Sequence, residues 1–237
     1  MNRLHNAKLD WITDSPEKVV ARHARASTKN PDKAEFQKLL TFCINQGHWS
    51  VFEQVCASFE IITSRAISAQ IIRHRAFHYQ ELSQRYCNPD KILDDAWENC
   101  WDFELRAQDF KDRQNSLEFA DETVKEVLKE RVKEVFSDIE DLYHALLESG
   151  VARECARNIL PMCTPTRLHM QGTLRDWIFY VGLRGANGTQ KEHKYIAHDI
   201  GRILSAYVPT TVKAVLASEN PAVDGWRVIE NLEVGPY

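Results

Sequence analysis

No Cys-x-x-Cys pair occurs in this 237-residue chain; its six cysteines stand singly at 43, 56, 87, 100, 155 and 163. That spacing argues against a zinc ribbon or a thioredoxin-type redox site, and leaves buried structural thiols as the expectation for each. His-Glu-x-x-His, P-loop, Gly-x-Gly-x-x-Gly and Gly-x-Ser-x-Gly patterns are also missing, which removes support for several common enzyme classes. No apolar run approaches the ~20 residues that span a bilayer. The opening stretch MNRLHNAKLDWITDSPEK lacks the apolar core of a secretory signal, so reduced thiols in the cytoplasm are expected, with no membrane partner. The chain also lacks a positive balance. Its formal net charge of −4 gives no bulk attraction to a nucleic acid polymer, and an anion site has to be a local cluster of basic residues. Repeats and low-complexity tracts are absent. Hydrophobic residues at 43% and charged residues at 27% suit a globular chain, read as a single domain over 1–237.

Within that frame the pattern predicts an α+β chain with few strands and several long helices. Ser15-Pro16-Glu17 reads as a helix start with Ser15 as N-cap, the helix running over 16–28. A second helix reaches 45, and Gly47 suits the position just past its end. The β-branched and aromatic run 55–63 predicts a strand, and 64–73 a helix. Residues 88–115 read as irregular but packed, on account of Trp97, Trp101 and Phe103. Apolar residues at helical spacing make 117–149 the longest helix. A short helix at 152–158, a strand at 161–171, helices at 173–183 and 190–207, and a last helix opened by Pro209 complete the expectation.

The stretch from Arg73 to Tyr86, RHRAFHYQELSQRY, holds three arginines, two histidines and a glutamate. A guanidinium offers a planar fork that fits phosphate or carboxylate bidentately, which a lysine cannot copy. Ser83, Gln84 and Arg85 supply a hydroxyl, an amide and a guanidinium in succession, a row able to wrap the oxygens of one phosphate. A solvated basic face is the alternative. Against it, Ile71, Ile72, Phe77, Tyr79, Leu82 and Tyr86 interleave with the charges, and buried arginines need partners. His74 and His78 stand at the i, i+4 spacing of helical metal ligands, but two flanking arginines oppose a divalent cation, so no metal is expected.

This stretch resembles the signature of the flavin-dependent thymidylate synthases (ThyX), RHRxxSxNExSxRY. Arg73, His74, Arg75, Glu81, Ser83, Arg85 and Tyr86 match it in register; His78 and Gln80 stand where Ser and Asn are usual. Further elements follow in family order. His48-x-Ser50-x-x-Glu53 is similar to an HxSxxEH element, with Gln54 for its last His. Gln70 precedes Arg73 by three residues. Ala156-Arg157-Asn158-Ile159-Leu160-Pro161 resembles AR-x-x-LP, and Leu183-Arg184 with Gln190-x-Glu192 resembles LR…Q-x-E.

The resemblance implies a ThyX-like fold with a small central antiparallel sheet flanked by long helices, and a homotetramer with active sites at subunit interfaces. It implies conversion of dUMP to dTMP with 5,10-methylenetetrahydrofolate as carbon donor and FAD, reduced by NADPH, as reductant. No enzyme cysteine acts as nucleophile. Arg184 is implied as the catalytic residue, contacting the uracil and favouring its N3-deprotonated form. Gln70, Ser83, Gln84, Arg85 and Arg157 would bind dUMP, with Arg85 and Arg157 on the phosphate. Ser50, Arg73, His74, Arg75 and Glu81 would contact FAD, Arg73 and Glu81 also approaching dUMP, and His48 would lie near flavin and folate. Arg175 takes a position that reaches the cofactor, although Thr173 and Phe179 replace the usual residues beside it. Ser50 has a second reading as an N-cap, and Phe179 as a core residue. A non-catalytic nucleotide-binding module on the same fold is the alternative function.

Overall fold

A computed structural model describes residues 4–235. Strands β1 (Asn6–Ile12), β2 (Cys56–Ser64), β3 (His78–Glu81) and β6 (Pro165–Thr173) form one sheet in the order β1-β2-β6-β3. β2 and β6 are antiparallel. At one end Leu174 N–H donates to Val55 O (2.7 Å), and at the other Arg65 N–H donates to Thr164 O (2.9 Å). A second ladder pairs β4 (Arg106–Gln108) antiparallel with β5 (Ser116–Glu118), Ala107 opposite Leu117. The helices are α1 (Pro16–Ala24), α2 (Gln37–Asn45), α3 (Arg65–Ile71), α4 (Pro89–Ile92), α5 (Asp94–Trp97), α6 (Glu122–Glu148), α7 (Arg153–Ala156), α8 (Leu174–Arg184), α9 (Lys191–Tyr207) and α10 (Pro209–Ala217). Among the described residues no helix is long and apolar enough to cross a membrane. The architecture is α+β, as expected.

The chain divides into two compact units, with the division falling inside β2 and β6. Of the described residues, one unit holds Leu4, Ile62–Ile71 and Glu81–Leu168; the other holds His5–Ile61, Ile72–Gln80 and all from His169 onward. The larger unit has a dense aromatic core. Trp177 stacks edge-on against Phe59 (4.7 Å between centroids) and Phe77 (4.6 Å), and its indole N–H donates to Ala57 O. α8 meets the 3-10 segment Pro221–Val228 closely enough that a Cβ on Gly182 would lie 2.2 Å from Ala222 O. Glycine is what lets these two backbones touch. Trp226 closes the contact by donating to Ile178 O (2.8 Å). In the smaller unit Trp97, Cys100 and Phe136 form a core cluster joined by Leu4, Trp101, Leu160 and Cys163.

Several expectations are corrected. Ser15 sits at φ 46 and its side chain caps nothing; α1 is started instead by its carbonyl, which accepts from Lys18 and Val19 N–H, and it ends at Ala24 rather than 28. Ser50 lies inside the 3-10 segment Trp49–Gln54, so it is not an N-cap. Residues 72–77 are a turn and His78 opens a strand, so His74 and His78 never share a helix face. β1, β3 and the 221–228 segment were not anticipated. Residues 88–115 contain α4, α5 and β4. α6 buries only Phe136 and Tyr143 of its apolar side chains. Among the cysteines Cys155 is exposed rather than buried. The helix expected from 117 begins at Glu122, because Ser116–Glu118 pair with β4, whereas α2 ends at Asn45 as expected, with Gly47 at φ 70 just beyond it.

Candidate functional site

The sequence candidates fall into two sets, one in each unit. In the larger unit the turn 72–77 follows α3 and feeds β3. Arg184 is the last residue of α8, and its Nε donates to Nε2 of His74 at 2.8 Å. That nitrogen therefore presents a lone pair, and the ring proton belongs on Nδ1. Tyr79 OH donates to the main-chain O of His74 (2.7 Å), which pins the turn. Burial, and then the Arg184 charge, pushes the His74 pKa down to about 4. The imidazole is thus neutral at pH 7 and accepts from the guanidinium without competing for positive charge. Arg73 and Arg75 flank this held histidine and are exposed, as are His78 and Gln80.

Also in this unit, Arg175 pairs with Glu53 of the 49–54 segment. His48 and Ser50 are exposed on the same stretch, His48 edge-on to Phe42 at 5.8 Å. Thr173 caps α8 rather than facing a ligand. Its hydroxyl accepts Asp176 N–H (3.2 Å) while Asp176 Oδ2 accepts the Thr173 main-chain N–H (3.0 Å), a reciprocal capping box. Phe179 packs edge-on against Trp49 at 4.8 Å. A hollow lined by Ile44, Asn45, Ala217, Ser218 and Asn220 holds none of the candidate side chains.

In the smaller unit Glu81 closes β3, and one of its oxygens is held by three donors. Oε1 accepts from Arg65 Nη1 (2.6 Å), Ser68 Oγ (2.6 Å) and Thr166 Oγ1 (2.9 Å). Sequence reasoning missed all three partners. The available signal was Arg65 and Ser68 one turn apart on the helix that leads into Arg73. Three donors converging on one oxygen fix the direction of this side chain. Gln70 is half-buried further along α3.

The Ser83-Gln84-Arg85 row forms a tight turn: Tyr86 N–H donates to Ser83 O (3.0 Å). Gln84 is buried and its Nε2 has no acceptor, a donor left unsatisfied inside the protein. Such a group costs roughly 1–3 kcal/mol unless a ligand oxygen completes it. Arg85 Nη2 pairs with Glu154 Oε2 on α7 (2.8 Å), and Arg153 Nε donates to Asn88 Oδ1 (2.8 Å). Arg157 follows Glu154 by three residues on the 3-10 turn Arg157–Ile159. The structure therefore brings Arg85 to the same short stretch of chain that carries Arg157. Among the described residues, no group of three or more His, Cys, Asp or Glu is placed to hold a metal ion.

The family model described as "Thymidylate synthase complementing protein" matches residues 9–210. A flavin-dependent thymidylate synthase of Synechocystis sp. is 43% identical over 201 residues, covering 85% of this chain and 90% of that protein. A probable flavin-dependent thymidylate synthase of Paramecium bursaria Chlorella virus 1 is 40% identical over 206 residues, covering 85% and 91%. Among solved structures, a UMP/dUMP methylase of Streptomyces cacaoi bound with 5-Br dUMP superposes with a TM-score of 0.73 at 20% identity, over 93% of this chain and 97% of that one. At that identity the superposition speaks for the fold.

Proposed function

This chain belongs to the thymidylate synthase complementing protein family, and we propose that it is a flavin-dependent thymidylate synthase acting as one domain over 1–237. The net reaction takes dUMP, 5,10-methylenetetrahydrofolate and NADPH with a proton to dTMP, tetrahydrofolate and NADP. The uracil C5 proton leaves to water. Bound FAD would carry the reducing equivalents, and the protein positions and polarises.

One observation carries the proposal: Arg184 is locked onto a neutral histidine at the end of α8. With Nε committed to His74, its Nη groups are the ones it would turn to the uracil. A fixed guanidinium stabilises the N3-deprotonated ring and so raises the nucleophilicity of C5. Ser83, Gln84, Arg85 and Arg157 would grip the nucleotide, and the unsatisfied Gln84 Nε2 fits a ligand oxygen. Gln70 and Glu81 would complete the dUMP contacts, the held carboxylate of Glu81 serving as a fixed acceptor for an N–H or O–H of the ligand.

The donor set around the 72–77 turn fits an anionic dinucleotide. Arg73 and Arg75 are exposed guanidiniums on a pinned backbone, and would hold the FAD phosphates with Ser50 and His74 alongside. Arg175 would first have to leave Glu53 to reach the cofactor. His48 would adjoin flavin and folate. A homotetramer is supported by α6, where Val124, Leu128, Val135 and Leu142 form one exposed apolar stripe. A cytoplasmic site agrees with six cysteines that are all free.

The test is spectroscopic and isotopic. The purified protein should show flavin absorbance that bleaches with NADPH, and should release tritium from C5-labelled dUMP when folate is supplied. Arg184→Ala should abolish release while flavin stays bound. Tight dUMP binding by the wild type without any tritium release would instead favour the non-catalytic module.

A further inference from the structure

Behind the Arg184–His74 contact lies a second hydrogen bond that no matched motif includes. Tyr180 OH and His193 Nε2 are 2.9 Å apart; His193 has no exposed surface and Tyr180 is 2% exposed. Tyr180 is one helical turn before Arg184 on α8, and His193 lies on the buried face of α9 with Ile196, Ala197 and Ile200. The His74 ring stands edge-on to both, 5.0 Å from the Tyr180 ring and 6.3 Å from the His193 ring. The ring that receives Arg184 thus leans on a Tyr–His pair from two helices.

A buried polar pair is a poor way to fill a core. Its hydrogen bond does little more than offset the desolvation of the two groups, and apolar residues of the same shape would serve stability equally well. What the pair adds is direction, because the bond fixes the rotation of both rings about their side-chain axes. We propose that His193 and Tyr180 are positioning residues that set the plane of the His74 imidazole, and through it the direction of the Arg184 guanidinium. The proposal rests on Arg184 acting on the uracil.

The experiment compares holoenzyme variants for kcat, KM for dUMP, flavin absorbance and melting temperature. His193→Phe keeps a ring but leaves the Tyr180 hydroxyl without its imidazole partner. Loss of one aligned interaction should lower kcat about tenfold, with KM for dUMP little changed and flavin retained. His193→Gln, whose amide oxygen can accept from Tyr180, should recover most of kcat. Combining His193→Phe with Tyr180→Phe removes the stranded hydroxyl of the single variant, so it should raise melting temperature above that of His193→Phe without restoring kcat. A wild-type kcat in His193→Phe, or a kcat that follows melting temperature through the series, would overturn the proposal. Normal turnover in Arg184→Ala would mean instead that the reading of Arg184 is wrong.

Discussion

Acid should weaken this fold through one buried histidine, by an amount that can be worked out. His193 is fully enclosed and hydrogen-bonded to Tyr180. Burial, then the Arg184 charge, then His74, pushes its pKa down from 6.5 to about 3. Between those values the unfolded chain binds a proton that the folded chain refuses, so stability falls as pH falls through that window. Above pH 6.5 the group costs nothing. Between pH 7 and pH 5 the loss is about 2 kcal/mol, and it levels off below pH 3. His74 shifts in the same direction but only to about 4, and being partly exposed it adds less. Carboxylates also contribute on acidification, so the informative quantity is a difference between proteins. Urea unfolding of wild type and His193→Gln at pH 7 and pH 5 isolates it. The wild type should lose about 2 kcal/mol more than the variant over that interval. Equal losses would show that His193 titrates normally, and the enclosed neutral pair with Tyr180 would then be wrong.

Other perturbations test other parts of the structure. Gly182→Ala should cost about 1–3 kcal/mol in thermal or urea unfolding, because its Cβ would press on the backbone of Ala222 and Val223 rather than on a side chain that can swing away. Leu128→Glu combined with Val135→Glu should leave the chain folded by circular dichroism but shift it to a smaller species in light scattering. An unchanged mass would remove α6 from the subunit interface. Cys163→Ser should keep turnover. Cys163 packs beside the buried Cys100, Trp97 and Phe136 cluster, and this thiol neighbour together with burial pushes the Cys100 pKa up. A serine fits the same space, and complete loss of activity with intact folding would revive a thiol mechanism.

How much of this was readable in advance depended on whether the cause was local. α2 ends where Gly47 permits a positive φ, and the β2 region is β-branched and apolar along its own length; both are decided by nearby residues. β3 is only His78-Tyr79-Gln80-Glu81, and its strand state is set by its place beside β6, as where Leu82 N–H donates to Arg167 O. β1 depends likewise on β2, through Thr13 N–H to Cys56 O. No window of sequence contains those partners. α6 shows a third case. Its 3.6-residue periodicity correctly announced an apolar face, but periodicity does not say what covers that face, and within one chain most of it is uncovered.

The same division runs through the site. The Arg73–Tyr86 stretch was conspicuous because several donors of one chemistry crowd a short segment, whereas Arg184 stood out only through the family resemblance. Their partners did not, because an acceptor is selected by position in space. Glu81 finds Arg65, Ser68 and Thr166, the last 85 residues away along the chain. Arg85 finds Glu154, and this contact alters the reading of the site. A nucleotide phosphate that takes Arg85 must first displace a carboxylate and then sit near it. Both groups are largely exposed, so breaking the pair costs on the order of 1 kcal/mol or less, well within what a bidentate phosphate contact returns. Arg184 stands on the opposite footing. Its partner is an uncharged imidazole, so nothing negative has to leave before it meets a uracil. The arginine assigned to binding is held by a group that must yield, and the arginine assigned to chemistry by one that stays; the second kind of support preserves geometry through a reaction.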